Sequence, residues 1–443
     1  MARDSRLEPT TADPDRAAAT GAGREGIHAV ITGLGATTPL GGDVAGTWEA
    51  MLRGESGIGL LDEESSAHLL PPLPVGRARV EPGPELEPML RRRLSRCAQL
   101  AVTAAQEAWM DAGLDALSIS PDRIGVVVSA AMGDMTSIIN AWEALRDKGW
   151  NRVPPMSVPW CLASSSASAV SMLVNAQAGI HATVNACSSG TQALATALDV
   201  IRRGLADVVV AGGAEAPVHP AVLGSLAAMR ALSRRADDPP AASRPFDAER
   251  DGLVLSEGSG VVILESETHA LRRGARIYAE LAGAGITSDA HHLVQPRPDG
   301  TGTVRAIRAS LNDAGVAPAE VAHVNANGTS TVPGDAAEGR AFQAVFGNVG
   351  QGPILTANKS LLGHSLGAAG AIESIATILS VYHGVVPPTR NFTCPDENLS
   401  LDVVHGEPRQ LGGGQVVAMK NSAGFGGHNV ALIFRGFPAG LPA

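Results

Sequence analysis

Aromatic residues are scarce: 2 Tyr, 5 Trp and 7 Phe among 443 residues, or 3%. So few rings exclude a stacking surface for bases and leave the core to Ala, Val, Leu and Ile, which favours helices packed closely on sheets. Charge is also sparse. At 18% of the chain it lies below the ~25% usual for globular domains, which excludes disorder along the whole length. Basic residues are the minority, since Lys+Arg 34 against Asp+Glu 44 gives a net −10. That balance excludes a general binder of nucleic acid or acidic membrane. The four cysteines, Cys97, Cys161, Cys187 and Cys394, have neither CxxC nor Cys/His metal spacing. A chain this long needs no disulfide staples, so a reducing, cytoplasmic setting is expected. No uncharged apolar run reaches ~18 residues, and the acidic, proline-containing first 26 residues have no apolar core. Neither a membrane span nor a signal peptide is expected.

Glycine, by contrast, is abundant, at 51 of 443 residues against a usual ~7%. Residues 1–27 read as a disordered tail, and order is expected from HAVITGLGATTPLG, where a short strand over Ala29 to Thr32 is closed by Gly33 and Gly35. Strands are expected at 125–131, 181–187, 207–215 and 260–266, with helices at 99–114 and 189–204 between them. The second half repeats this style from ARIYAELAGAGI to HNVALIFRG. VITGLGATT (30–38) pairs in kind with LAGAGITSD (281–289), and GSGVVILESE (258–267) with GHNVALIFRG (427–436). These correspondences point to a duplicated α/β chain with halves at 28–275 and 276–437 and mainly parallel sheets covered by helices. No P-loop or dinucleotide fingerprint is present.

TVNACSSGTQAL holds the densest chemistry. A β-branched run leads to Cys187, and Ser-Ser-Gly then opens a helix, which puts the thiol at the positive end of a helix dipole among unpaired N–H groups. Such a setting lowers a thiol pKa and supplies donors for an oxyanion. An isolated cysteine is more often an inert core residue, and Cys97, Cys161 and Cys394 are read that way.

NACSSGTQAL resembles the active-site segment of the elongating β-ketoacyl-acyl-carrier-protein synthases, the ketosynthases of fatty-acid and polyketide assembly. The resemblance runs from about Val30 to Phe434. It passes through ITGLGATTPLG, VVAGGAE at Glu215, SRPFDAERDGLVLSEGSG at 243–260, NGTST at 327–331, NKSLLGHSLGAAGAIES at 358–374 and NSAGFGGHN at 421–429. It implies a thiolase-like α/β fold, with duplicated βαβαβαββ halves in a five-layer αβαβα sandwich, normally dimeric. It implies no bound cofactor, the substrates being carried on the phosphopantetheine of an acyl carrier protein. Cys187 then corresponds to the acyl acceptor. His364 corresponds to the histidine that donates to the developing enolate oxygen, and Lys359 to the lysine that organises the site's charge. Phe425 corresponds to the gating phenylalanine, whose backbone N–H joins that of Cys187 in the oxyanion hole. Thr329 and Thr331 correspond to threonines that hold the phosphopantetheine arm, and Met132 lies where the acyl pocket is shaped.

One position departs from the pattern. The family motif begins with histidine, HGTST or HGTGT, whereas this chain has Asn327 in NANGTST. An amide donates and accepts hydrogen bonds but moves no proton near neutral pH. His323 is about 13 Å up the strand at ~3.3 Å per residue, so His428 in GFGGHN is the nearer substitute by motif. The run MLRRRLSRC gathers Arg91, Arg92, Arg93 and Arg96, and Arg230 follows in MRALS. The family docks its acidic carrier protein near these positions. Three readings follow: a β-ketoacyl synthase performing decarboxylative Claisen condensation, a non-elongating acyltransferase that shuttles chains, and a non-catalytic partner like the chain-length factors. The last class lacks the nucleophilic cysteine. The partner is a second copy of the chain or a ketosynthase-like subunit.

Overall fold

The computed structural model describes residues 26–61, 69–83, 86–115 and 119–437. The expected tail thus lies, but for its last two residues, outside the described residues. The first half runs β1 (Ala29–Thr37), α1 (Arg96–Asp111), β2 (Ile124–Ser129), α2 (Ser165–Leu173), β3 (Gly179–His181), α3 (Ser189–Arg202), β4 (Val208–Glu215) and β5 (Gly258–Ser266). The second runs β6 (Ala279–Ser288), α4 (Thr301–Ala314), β7 (Val321–Asn325), α5 (Val332–Phe346), β8 (Ile354–Thr356), α6 (Ala369–His383), β9 (Val417–Gly424) and β10 (His428–Arg435).

Strand order shows the duplication. The sheet reads β8-β7-β9-β10-β6-β1-β5-β4-β2-β3, so each half is ordered 3-2-4-5-1 and the two are mirrored about the β1–β6 seam. Sense agrees too: β2 runs parallel to β3 and β4, as β7 does to β8 and β9, while β5 and β10 are antiparallel to both neighbours. The seam itself is slight, with only Val30–Glu280 and Ile31–Ala279 paired across it.

What unites the halves is the helical layer between them. Both α3 and α6 pack on strands of both halves and on each other. α6 is buried from Ala369 to Val381, as a helix apolar on nearly every side must be. The outer layers are α1 with α2 and α4 with α5. Helix, sheet, helix, sheet, helix is the five-layer arrangement expected from the resemblance.

The Gly-x-Gly pairs do not close strands, contrary to the reading of GLG as a turn. β1 continues through Gly33 and Gly35 to Thr37. These glycines strip one strand face of side chains so that the outer helix can lie on its backbone. A Cβ on Gly33 would fall 2.8 Å from Ala112 Cβ, and one on Gly283 would fall 2.6 Å from the Ser310 carbonyl oxygen. The same device in β1/α1 and β6/α4 explains why the motif is duplicated. A second difference is at 181–187, where β3 stops at His181. Beyond it the chain bonds to side chains instead of a ladder: Thr183 N–H donates to Ser129 Oγ at 3.0 Å and Asn185 N–H to Ser189 Oγ at 2.9 Å. Among the described residues, no helix is long and apolar enough to cross a membrane.

Candidate active site

Cys187 sits in a short 3₁₀ turn, Ala186–Ser188, that feeds α3. Ala186 adopts φ +47°, a left-handed conformation disfavoured for a residue with a Cβ, and such strain gathers at functional turns. The turn is pressed against the end of β9, where a Cβ on Gly424 would lie 3.0 Å from the Cys187 nitrogen. The backbone N–H groups of Cys187 and Phe425 both face the thiol. Met132, Phe425 and Leu366 share its apolar surroundings. Below Met132 lies Glu215, fully buried, which accepts from the N–H groups of Ala131 (2.6 Å), Met132 (3.2 Å) and Gly367 (3.0 Å). It thereby ties the 130–132 loop to the 365–368 loop.

The thiol is not acidified as the helix dipole alone would have it. Burial pushes Cys187 up to about 11, while the Lys359 ammonium and the Phe425 N–H pull the other way. The resting residue is a neutral thiol.

A buried polar cluster stands beside this turn. Lys359 Nζ donates to the Asn327 carbonyl oxygen at 2.6 Å and to Asn327 Oδ1 at 3.2 Å, and pairs with Glu373 Oε1 at 2.7 Å. An ammonium only donates, so this contact fixes the amide of Asn327: Oδ1 is taken, and Nδ2 is the end left to serve another partner. The Asn327 and Gly328 N–H groups donate to Glu338 at 2.7 and 2.8 Å. His364, 1% exposed, has no partner on either ring nitrogen. Burial, then the charges of Lys359 and Lys420, hold its pKa well below the ordinary histidine value. A buried unpaired imidazole costs free energy, and a site that retains one is shaped for a group that arrives later.

The remaining sequence candidates fall in three places. Thr329 and Thr331 share a 2.9 Å hydroxyl contact at the start of α5. His323 is turned away into a 2.8 Å bond with Thr356. His428 opens β10 opposite Gly424, its ring packed against Gly426. Arg91, Arg92 and Arg93 are exposed on the helix Pro88–Arg93, and Arg230 is exposed after the helix Pro220–Ala228. Arg96 needs correcting as a member of that free patch. Its guanidinium is held by Glu257 at 2.6 and 2.9 Å and by Glu81 at 2.7 Å.

Motif reading missed four residues of the cluster, namely Glu338, Glu373, Lys420 and Asn421. Lys420 Nζ reaches Glu373 Oε2 at 2.6 Å and the carbonyl oxygens of Asn421 and Ala326 at 2.6 and 3.0 Å. Asn421 Nδ2 donates to Glu338 Oε1 at 2.6 Å. A signal was available, because a glutamate inside AGAIESIATIL and a lysine inside VVAMKN are charges in runs destined for burial.

The sequence matches the Beta-ketoacyl synthase, N-terminal domain, over residues 28–270 and the Beta-ketoacyl synthase, C-terminal domain, over 278–393. The chain belongs to the β-ketoacyl synthase family. It is similar to 3-oxoacyl-[acyl-carrier-protein] synthase 2 of Staphylococcus aureus (strain MRSA252), 40% identical over 94% of this chain and 100% of that protein. The Synechocystis protein of the same name is 38% identical over 92% and 97%. Among solved structures, a beta-ketoacyl synthase from Burkholderia phymatum superposes with a TM-score of 0.85 at 33% identity, covering 93% of this chain and 100% of that one. A chain from a complex of a type II PKS acyl-carrier protein with its ketosynthase bound to the hexaketide gives 0.84 at 32% identity, covering 94% and 100%.

Proposed function

We propose that this chain is a β-ketoacyl-acyl-carrier-protein synthase working through an acyl-Cys187 intermediate. The observation that supports it most is the placing of Cys187 just after the left-handed Ala186, under two backbone N–H groups and beside a buried cluster that leaves the His364 ring nitrogens and Asn327 Nδ2 for an arriving group. In the first half-reaction the Cys187 sulfur attacks a carrier thioester. The carrier thiolate leaves and takes up the proton that the thiol gives up, while the N–H groups of Cys187 and Phe425 receive the oxyanion. In the second, a malonyl thioester loses carbon dioxide, and the enolate oxygen is met by a His364 ring N–H and Asn327 Nδ2. The carbanion then forms the new C–C bond as the Cys187 thioester breaks, and the thiolate takes a proton from water. No metal or prosthetic group takes part, and Thr329 and Thr331 hold the phosphopantetheine arm.

Asn327 supports a second reading, a non-elongating acyltransferase, because the amide supplies polarisation without proton transfer. Asn327→His separates the two. It should raise malonyl decarboxylation by ~10-fold or more, within the range for one acid–base group, and change Cys187 acylation far less. Carbon dioxide release and extended product from acyl- and malonyl-carrier proteins give the measurement. A wild type that condenses at ordinary rates and gains nothing from Asn327→His would remove the second reading.

The carrier protein is proposed to dock on Arg91, Arg92 and Arg93, with Arg230 as a further contact. Three exposed guanidiniums on a chain of net −10 suit an acidic partner and salt-sensitive association. Replacing the three with Glu should raise KM for a carrier-bound acyl group and spare a small acyl thioester; equal loss with both substrates would reject the docking site. The chain is further proposed to pair with a second copy through β3. This edge strand is short and open: Ile180 on it is 45% exposed, and Val184 just beyond it and Met172 on α2 are 52% and 70% exposed. Light scattering should return twice 45.2 kDa, and a single-chain mass would reject the pairing. The reaction is placed in the cytoplasm, where the four unpaired thiols persist.

A further inference from the structure

Two lysines are buried in one cluster, and only Lys359 is accounted for by the condensing chemistry. Lys420, in the middle of β9, is 0% exposed; its ammonium makes an ion pair with Glu373 Oε2 on α6 at 2.6 Å and donates to the carbonyl oxygens of Asn421 and Ala326. Ala326 immediately precedes Asn327, the residue without a proton to move. Glu373 is the hub. One of its oxygens takes Lys359, which grips Asn327 from one side, and the other takes Lys420, which grips the same loop from beneath. Asn421 closes a second route to the loop through Glu338, which also receives the Asn327 and Gly328 N–H groups. The strand that carries Lys420 ends at Gly424, against the Cys187 turn.

We propose that Lys420 is a positioning residue of the condensing site, bracing the Asn327 loop against Glu373 and β9 and, as a second buried cation, keeping His364 a neutral hydrogen-bond donor. The inference rests on the condensing function proposed above. A buried ammonium is costly unless fully paired, and here it is retained with every donor used. In water, an imidazole brought beside a developing enolate would be drawn toward protonation. Two ammoniums near His364 oppose that, so the ring donates its N–H without becoming a charged acid. The charged groups that bear on Lys420 are Glu373 from α6, Lys359 from the helix Lys359–Leu362 and Glu338 from α5, and its own charge reaches the imidazoles of His323 and His364. Burial draws Lys420 itself down to about 8, with Glu373 opposing and Lys359 adding to the shift. Loss of its proton is therefore within reach of an ordinary pH titration.

The test is Lys420→Gln, which keeps a donor for Ala326 and removes the charge. Histidine side-chain resonances would be titrated in wild type and variant, with His323 and His364 assigned by single replacements. This readout needs no turnover. His323 serves as an internal control, since it too feels Lys420 but makes no contact with the Asn327 loop beyond its own strand. Both imidazoles should titrate at higher pH in the variant. Malonyl decarboxylation should fall ~10-fold, more than Cys187 acylation falls. A His323 shift without a His364 shift would overturn the proposal, as would a decarboxylation rate that is unchanged or falls only in step with acylation. If Lys420→Gln does not fold, Lys420→Met takes its place. Failure of both to reach the wild-type melting profile would make Lys420 a folding residue and overturn the proposal as well. A wild type that acylates Cys187 yet releases no carbon dioxide would instead overturn the condensing function, leaving the titration to judge Lys420 separately.

Discussion

Cys187→Ser should lose acylation by a carrier thioester to below detection, on the order of 10³-fold or more. The reason is local. The side chain is buried, the neighbouring imidazole has no partner to orient it as a base, and a hydroxyl in that setting has no means of shedding its proton. Sulfur succeeds where oxygen fails because a small thiolate fraction is intrinsically nucleophilic, and the two N–H groups at the turn favour its charge. Intact-protein mass spectrometry reads the result directly. The other thiols make the assignment testable. Cys97 is fully buried against the Ala214 carbonyl, Cys161 donates to the Val158 carbonyl, and Cys394 is exposed. A persisting acyl adduct on any of the three in Cys187→Ser would show the nucleophile to be misplaced. The pH dependence carries a sign as well. Because burial raises the Cys187 thiol to about 11, alkylation by a small reagent should keep accelerating above pH 9. A plateau at neutral pH would mean an acidified thiol of the kind that the helix dipole alone leads one to expect.

Burial at the turn opposes that expectation, and the reason marks what was legible in the chain. Continuous apolar runs located β4 and β5 to within two residues, and HNVALIFRG, noted as the counterpart of β5, became β10, because buried strands need little beyond their own composition to be recognised. The duplication was legible in two pairs of segments, and these proved to be equivalent strands in a mirrored sheet. The role of Gly33 and Gly283 was not legible, since a glycine that ends a strand and one that admits a helix backbone look the same in sequence. The site divides in the same way. Residues on recognisable turns, Cys187 and Phe425, were singled out by motif. The magnitude of burial at Cys187, which decides its protonation, comes from β9, Met132 and Leu366 arriving from distant parts of the chain. Likewise Lys359 was singled out while its partner Glu373, and Lys420 that shares that glutamate, were not, because pairing between α6 and β9 is a product of the layer packing. Arg96 shows the converse error. Its spacing placed it with Arg91–Arg93, whereas Glu257, 161 positions away, claims it.

His364→Ala should lower malonyl decarboxylation, and with it condensation, by ~10²–10³-fold, the usual loss when one preorganised donor to a developing oxyanion is removed. Acylation of Cys187 should fall much less, since its oxyanion is met by backbone N–H groups that the imidazole does not supply. The pH profile distinguishes a donor from an acid. His364 is held neutral far below the ordinary histidine range, first by burial and then by Lys359 and Lys420, so its N–H is available throughout the neutral region. Wild-type decarboxylation should therefore show no acid limb near pH 6.5, and any limb that belongs to this ring should lie well below it. Were His364 a protonated acid instead, activity would decline as pH rises through its pKa, and the decline would vanish in His364→Ala. That outcome would reassign the ring from neutral donor to proton source. It would also leave Asn327 as the only neutral side chain beside the enolate oxygen, a burden its single free amide end, already fixed by Lys359, cannot carry alone.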